Sequence, residues 1–270
     1  MNNLDATGHV TGKSVYLDDI PVLKNCLYGI VFCSPSAHGT ITSLDVSGAL
    51  LLPDVQKVFT WKDIPGKNDI GGIIPDEMLF AQDEVHFMGQ SLALVVANDE
   101  RTARKAAKLI KIEISELEVL TDPRLAREKG LLLIPSRTFR MGDISGAWSG
   151  CDHIIEGRVE SGAQEHLYIE TQGAYAHPSG NRGIMIHSST QGPTLVQKVA
   201  ARVLAMPMNH IEVDVTRLGG AFGGKEDQAT GVAVMAALAA HLLDRPVKIT
   251  LHRGDDMRMT GKRHPYSSDI

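Results

Sequence analysis

Residues 213–226 constrain this chain more than any other stretch. An alternating apolar segment, Val213-Asp214-Val215, runs into Gly219, Gly220, Ala221, Phe222, Gly223, Gly224, Lys225 and Glu226, and a run of small residues follows. Glycines let a backbone approach a ligand closely because no Cβ intervenes. A helix start offers unpaired N–H groups to anion-like atoms. The pattern therefore predicts a strand, a glycine turn and a helix that form a site. One alternative is that the glycines serve only tight strand–helix packing.

A second alternative is a triphosphate site. Gly219, four intervening residues, Gly224 and Lys225 match the P-loop pattern up to its last position, which requires a Ser or Thr hydroxyl for magnesium. Glu226 stands there. A carboxylate beside a triphosphate repels it, so the match fails where the chemistry is most demanding.

Other broad classes are excluded by composition. A net charge of −5 over 270 residues, with scattered Lys and Arg, argues against an electrostatic nucleic-acid binder. No apolar run is long enough to span a bilayer, and the N-terminal MNNLDATGHV lacks a signal core, which together predict a cytoplasmic protein. Cys26, Cys33 and Cys151 stand far from any CxxC spacing and read as reduced core thiols. Three thiolates are too few for an iron–sulfur cluster.

The local patterns predict a mixed α/β chain. Residues 28–34 and 91–97 read as strands, Asp99 as the cap of a helix reaching Leu109, and residues 111–115 as a further strand. That order suggests a βαβ unit with a parallel strand pair. Glycines and prolines punctuate residues 121–151. Beyond them the order repeats: strand 184–187, helix 194–205, strand 211–215, then an alanine-rich helix over 227–243 ending before Pro246. Gln191 falls just after a strand, where α/β sheets place ligands. His166 and Glu170 are four apart, but residues 164–171 alternate as a strand does, so His166 reads as a structural hydrogen-bonding group.

Five segments in order carry a family resemblance: HVTGKSVYLDDIP, QEHLYIET, HSSTQGPTLVQ, LGGAFGGKE and RGDDMRMTGKRHPY. Together they resemble the molybdenum-binding subunit of the xanthine dehydrogenase and aldehyde oxidase family, the molybdenum hydroxylases, and run nearly end to end. The resemblance implies an N-terminal hammerhead-like α/β domain over residues 1–125, a connecting segment over 126–150, and the first part of a molybdopterin-binding domain over 151–270. It implies a molybdenum-pterin cofactor, molybdopterin or its cytosine dinucleotide form, contacted by Gln191, Phe222 and Gly223. Gln191 would lie beside the metal without ligating it, and the loop backbone at Phe222 would lie beside its apical oxygen. Glu226 matches the glutamate of the xanthine-oxidising branch and would face a purine such as hypoxanthine or xanthine.

The family reaction is attack by a metal-bound hydroxide with hydride transfer. Its electrons leave through iron–sulfur clusters and FAD to NAD on partner domains or subunits. The family's general-base glutamate lies in a Gly-x-Gly-Glu stretch that residues 1–270 do not contain, and its substrate arginine would also fall beyond Ile270. The expected partners are thus the rest of the molybdenum subunit and the iron–sulfur and FAD subunits. The chain alone is expected to be inactive, to bind little cofactor and to leave apolar surface uncovered. The competing expectation is a non-catalytic, partner-binding module.

Overall fold

The computed structural model describes residues 5–180 and 182–270. Two compact units are present: Met1–Leu117 with His166–Gly261, and Glu118–Glu165 with Lys262–Ile270.

The first unit holds strands β1 (Leu27–Cys33), β2 (Gly39–Asp45), β3 (Val55–Phe59), β4 (Glu84–Val85), β5 (Ser91–Ala97) and β6 (Lys111–Glu116). The second unit contributes β7 (Arg158–Ser161) and β12 (Tyr266–Asp269), which pair antiparallel. Strands β8 (Gly173–Ser179), β9 (Gly183–Ser188), β10 (Ile211–Asp214) and β11 (Val247–Thr250) complete the first unit. Its main sheet has seven strands in the order β10-β9-β8-β11-β1-β5-β3, and its smaller sheet has the order β4-β2-β6. In the main sheet β9–β10 and β1–β11 are parallel and the other pairs antiparallel, a mixed α/β arrangement.

Period-two geometry explains why the sequence of β5 is apolar almost throughout. Successive side chains point to opposite faces of a sheet. Leu94 and Val96 enter the larger core, while Ala93, Val95 and Ala97 pack under Ala103, Ala106 and Ala107 of helix α1 (Glu100–Ala107). Asp99 caps α1 by accepting a hydrogen bond from Thr102 N at 2.8 Å.

Helix α2 (Pro193–Leu204) begins with proline, whose missing N–H costs nothing in a first turn. It buries Val196, Val199, Ala200, Val203 and Leu204, one stripe at helical spacing. Helix α3 (Gln228–Leu243) is buried on every side from Ala229 to Ala240. Its alanines and glycine let α2 and β8 approach closely, so α3 is the centre of the core. A last helix, α4 (Arg253–Met259), follows β11.

Three expectations need correction. Residues 91–116 do form strand, helix and strand, but β5 lies antiparallel between β1 and β3 while β6 joins β2 in the other sheet. Residues 165–171 are irregular, with Leu167 at φ +49°. The Glu170 N–H donates to the Gly219 carbonyl, and the Tyr168 and Ile169 carbonyls accept from the Arg253 side chain, in place of a strand ladder. Cys151 is exposed, whereas Cys26 and Cys33 are partly buried; burial pushes their thiols up to about 11 and about 12, which makes them poor nucleophiles.

No described residue of the second unit is buried, and Leu133, Phe139, Trp148 and Ile155 are exposed there. No helix among the described residues is long and apolar enough to cross a membrane.

Candidate cofactor-binding site

The glycine loop leaves β10 and is fixed by a short turn that leaves β9. Ser189, Thr190 and Gln191 follow β9 directly, and each holds part of the loop. Gln191 N donates to the Lys225 carbonyl at 2.8 Å, and Thr190 Oγ1 donates to the same carbonyl at 3.2 Å. Gln191 Oε1 accepts from Gly223 N at 3.1 Å and Lys225 N at 3.3 Å. Two N–H donors require an oxygen between them, so the orientation of this amide is set by its partners. The Gln191 NH2 group has no acceptor among the described residues, and the side chain is exposed.

Behind the loop stands a buried ion pair. Lys225 is fully buried, and its Nζ donates to Glu170 Oε2 at 3.0 Å and to Ser189 Oγ at 2.6 Å. The ammonium also lies 4.7 Å from the centroid of the Tyr168 ring. Glu170 Oε2 accepts from Ser189 Oγ at 2.5 Å and from Gly219 N at 2.8 Å. Burial pushes the Glu170 carboxyl up, but Ser189, the Gly219 N–H and Lys225 outweigh it and hold it below its ordinary value. Burial lowers the Lys225 ammonium, against the pull of Glu170.

A second network supports the first. Tyr168 Oη donates to Asp256 Oδ1 at 2.7 Å, and Gln172 N donates to Asp256 Oδ2 at 2.7 Å. Gln172 Nε2 donates to the Gly224 carbonyl at 2.8 Å and to Tyr168 Oη at 3.0 Å. Burial, reinforced by Asp256, pushes the Tyr168 phenol above its ordinary range. A Cβ at Gly224 would stand 2.7 Å from His166 Cγ and 2.8 Å from Tyr168 Cε1, so only glycine fits there. His166 stacks on Tyr168, with ring centroids 6.5 Å apart, and makes no hydrogen bond among the described residues. Its role is packing, not the hydrogen bonding expected from the sequence.

The outer side of the loop is open. Phe222 has φ +54° and is 77 % exposed, an unusual state for a bulky apolar residue. Gly223 has φ +87°, and a Cβ built on it would meet nothing within 4 Å. Glu226 is exposed and makes no hydrogen bond or ion pair among the described residues.

The P-loop alternative fails here, because the Lys225 ammonium is enclosed and committed to Glu170. Sequence reasoning missed this pair, along with Tyr168, Gln172 and Asp256. The signal was present in part, since Tyr168 and Glu170 lie in QEHLYIET and Asp256 in RGDDMRM.

Comparisons with known proteins agree with this architecture. Residues 129–270 match the family described as molybdopterin cofactor-binding domain. Residues 11–118 match the aldehyde oxidase and xanthine dehydrogenase a/b hammerhead domain. Xanthine dehydrogenase of Dictyostelium discoideum is 39 % identical over 261 residues, 97 % of this chain and 19 % of that protein. Aldehyde oxidase 1 of Bos taurus is 38 % identical over 268 residues, 98 % of this chain and 20 % of that protein. Among solved structures, the aldehyde oxidoreductase from Desulfovibrio gigas superposes with a TM-score of 0.89 at 27 % identity, over 98 % of this chain and 31 % of that one.

The fold and the matched domain define a molybdopterin-binding architecture. The chain belongs to the xanthine dehydrogenase and aldehyde oxidase family of molybdenum hydroxylases. It spans about a fifth of the length of the curated relatives it matches. The cofactor of this family is a molybdenum-bound pterin, with iron–sulfur clusters and FAD on other domains. The residues present fit such a group: Gly223 leaves a backbone surface clear of side chains, Phe222 stands exposed beside it, and the Gln191 amide offers an uncommitted donor.

Proposed function

We propose that this chain forms part of the molybdenum site of a hydroxylase acting on a purine such as hypoxanthine or xanthine. In this reading residues 1–125 are the hammerhead-like domain, 126–150 a connection and 151–270 part of the molybdopterin-binding domain. Gln191, Phe222 and Gly223 lie against the cofactor, and Glu226 faces the substrate. The observation that carries the proposal is the pinned amide of Gln191 beside the open face of Gly223.

When bound, the molybdenum-pterin group supplies a two-electron oxidant. The chain's own residues supply position and polarity. The Gln191 oxygen is committed to two loop N–H groups, so its NH2 is the group offered, a donor suited to an oxygen carrying negative charge. The Glu170–Lys225 pair holds the loop from behind and takes no direct part. Phe222 supplies an apolar wall that excludes water. Glu226 offers a carboxylate that accepts from a ring N–H of a purine, a contact an aldehyde cannot return.

The partners in this reading are the rest of the molybdenum subunit and the iron–sulfur and FAD components, with NAD as final acceptor in the cytoplasm. The exposed apolar residues of the second unit support the need for a partner surface. The chain alone is inactive and binds little cofactor.

The test is steady-state turnover in the assembly that contains this chain. Glu226→Ala should lower kcat/KM on xanthine by on the order of 10–100-fold and leave an aromatic aldehyde within about threefold. Equal losses on both substrates would overturn the purine-facing role. An assembly free of molybdenum and of hydroxylase activity would favour a non-catalytic, partner-binding module.

A further inference from the structure

A cluster of metal-ligating side chains stands on the smaller sheet and shares no residue with the loop site. His38 Nε2 lies 2.8 Å from Glu84 Oε1, and His86 Nδ1 lies 3.5 Å from the same oxygen. One ligand atom from each of the three falls within 4.8 Å of both others. Among the described residues this is the one group of three such side chains.

The sheet register explains why they meet. Strands β2 and β4 pair antiparallel with Gly39 opposite Val85 and Thr40 opposite Glu84. Continued by one residue, that register sets His38 opposite His86. Glu84 and His86 are two apart, so they share a face of the sheet, and His38 shares it from across the pair. The two imidazoles stack with centroids 6.1 Å apart. Their backbones are anchored from outside: Leu117 N donates to the His38 carbonyl at 3.1 Å, and His86 N donates to Gln90 Oε1 at 2.7 Å.

We infer that His38, Glu84 and His86 form a binding site for one zinc-like divalent cation. Zinc takes imidazole nitrogen and carboxylate oxygen at about 2.0–2.2 Å, which sets neighbouring tetrahedral ligands ~3.4 Å apart. The separations from Glu84 Oε1 to His38 Nε2 and His86 Nδ1, 2.8 and 3.5 Å, bracket that value. Two imidazoles select borderline metals over calcium and magnesium, which take oxygen ligands. One carboxylate and two neutral imidazoles leave a single negative charge to meet a dication. The fourth position goes to water, because all three side chains are partly open to solvent. The bound cation would clamp β4, only two residues long, onto β2.

The test uses the full chain, titrated with CoCl2 and ZnCl2 and followed by visible absorption and calorimetry. One equivalent of Co2+ should bind with the intense d–d absorption of low coordination, be displaced by Zn2+, and resist a large excess of Ca2+. His86→Gln and Glu84→Gln should each weaken Zn2+ binding at least tenfold, on the order of what loss of a ligand or its support costs. The metal-free variants should keep the far-UV circular dichroism of the parent, since both sites are partly exposed. Three results would overturn the site: unchanged affinity in both variants, equal competition by Ca2+, or cobalt–thiolate charge-transfer bands that assign the metal to cysteine.

Discussion

Replacing Lys225 with methionine isolates the contribution of the buried ion pair behind the loop. Methionine keeps an unbranched stem of similar length and removes only the ammonium. That ammonium is fully buried and 3.0 Å from Glu170, whose side chain is only 14 % exposed. Breaking a buried pair leaves an uncompensated charge and costs about 3–5 kcal/mol. Glu170 keeps hydrogen bonds from Ser189 Oγ and Gly219 N, which favours the lower end of that range. The expected loss is therefore about 3 kcal/mol, roughly a hundredfold in the folding equilibrium. Urea unfolding at neutral pH, followed by far-UV circular dichroism, reads it as a lower midpoint at unchanged slope. The double variant Lys225→Met/Glu170→Gln should lose less than the sum of the single variants by about 1–3 kcal/mol, because the two share one interaction. A loss below about 1 kcal/mol for Lys225→Met, the value of an exposed pair, would refute the reasoning.

Further outcomes follow from the same networks. Glu170 is held below its ordinary value of 4.5, so its contribution to stability is complete above that value and is lost as pH falls through the depressed folded value; Glu170→Gln should flatten this acid limb of a stability–pH series. Lys225 is held below its ordinary 10.5, so over the alkaline range between its folded and ordinary values the unfolded chain binds the extra proton and stability rises with pH; Lys225→Met should remove that rise. Gly224→Ala drives a methyl group into His166 and Tyr168, and should cost about 1–3 kcal/mol in the same unfolding assay while exposing loop amides to hydrogen exchange. Gln191→Ala removes the acceptor of the Gly223 and Lys225 amides, and should speed their exchange with little change in the global unfolding midpoint.

Local order was legible where the information was local. The apolar run 91–97, the Asp99 cap and the proline at the start of α2 each encode an element within a few residues. The parallel pair expected for residues 91–116 failed because strand pairing is set by distant chain: β5 takes β1 and β3 as neighbours, and neither is predictable from its own alternation. Residues 165–171 alternate as a strand would, yet Arg253 and Gly219 claim their backbone groups, and both lie far along the chain. Lys225 enters the sequence pattern only as the lysine of a P-loop match that fails at Glu226. Its enclosure depends on Glu170, 55 residues away, and on Tyr168 beneath it. The resemblance named Gln191 and the loop, but it carried no hint that the Gln191 oxygen would be committed and its nitrogen left over.

Molybdenum and pterin content per chain test the central claim most directly. The assembly isolated with this chain in it should carry about one molybdenum and one pterin per copy, and the chain expressed alone should carry little of either. Retention in the assembly should fall in Gln191→Ala and Phe222→Ala while the far-UV spectrum stays that of the parent. An assembly without molybdenum, or full retention in both variants, would contradict the assignment of this loop to the cofactor.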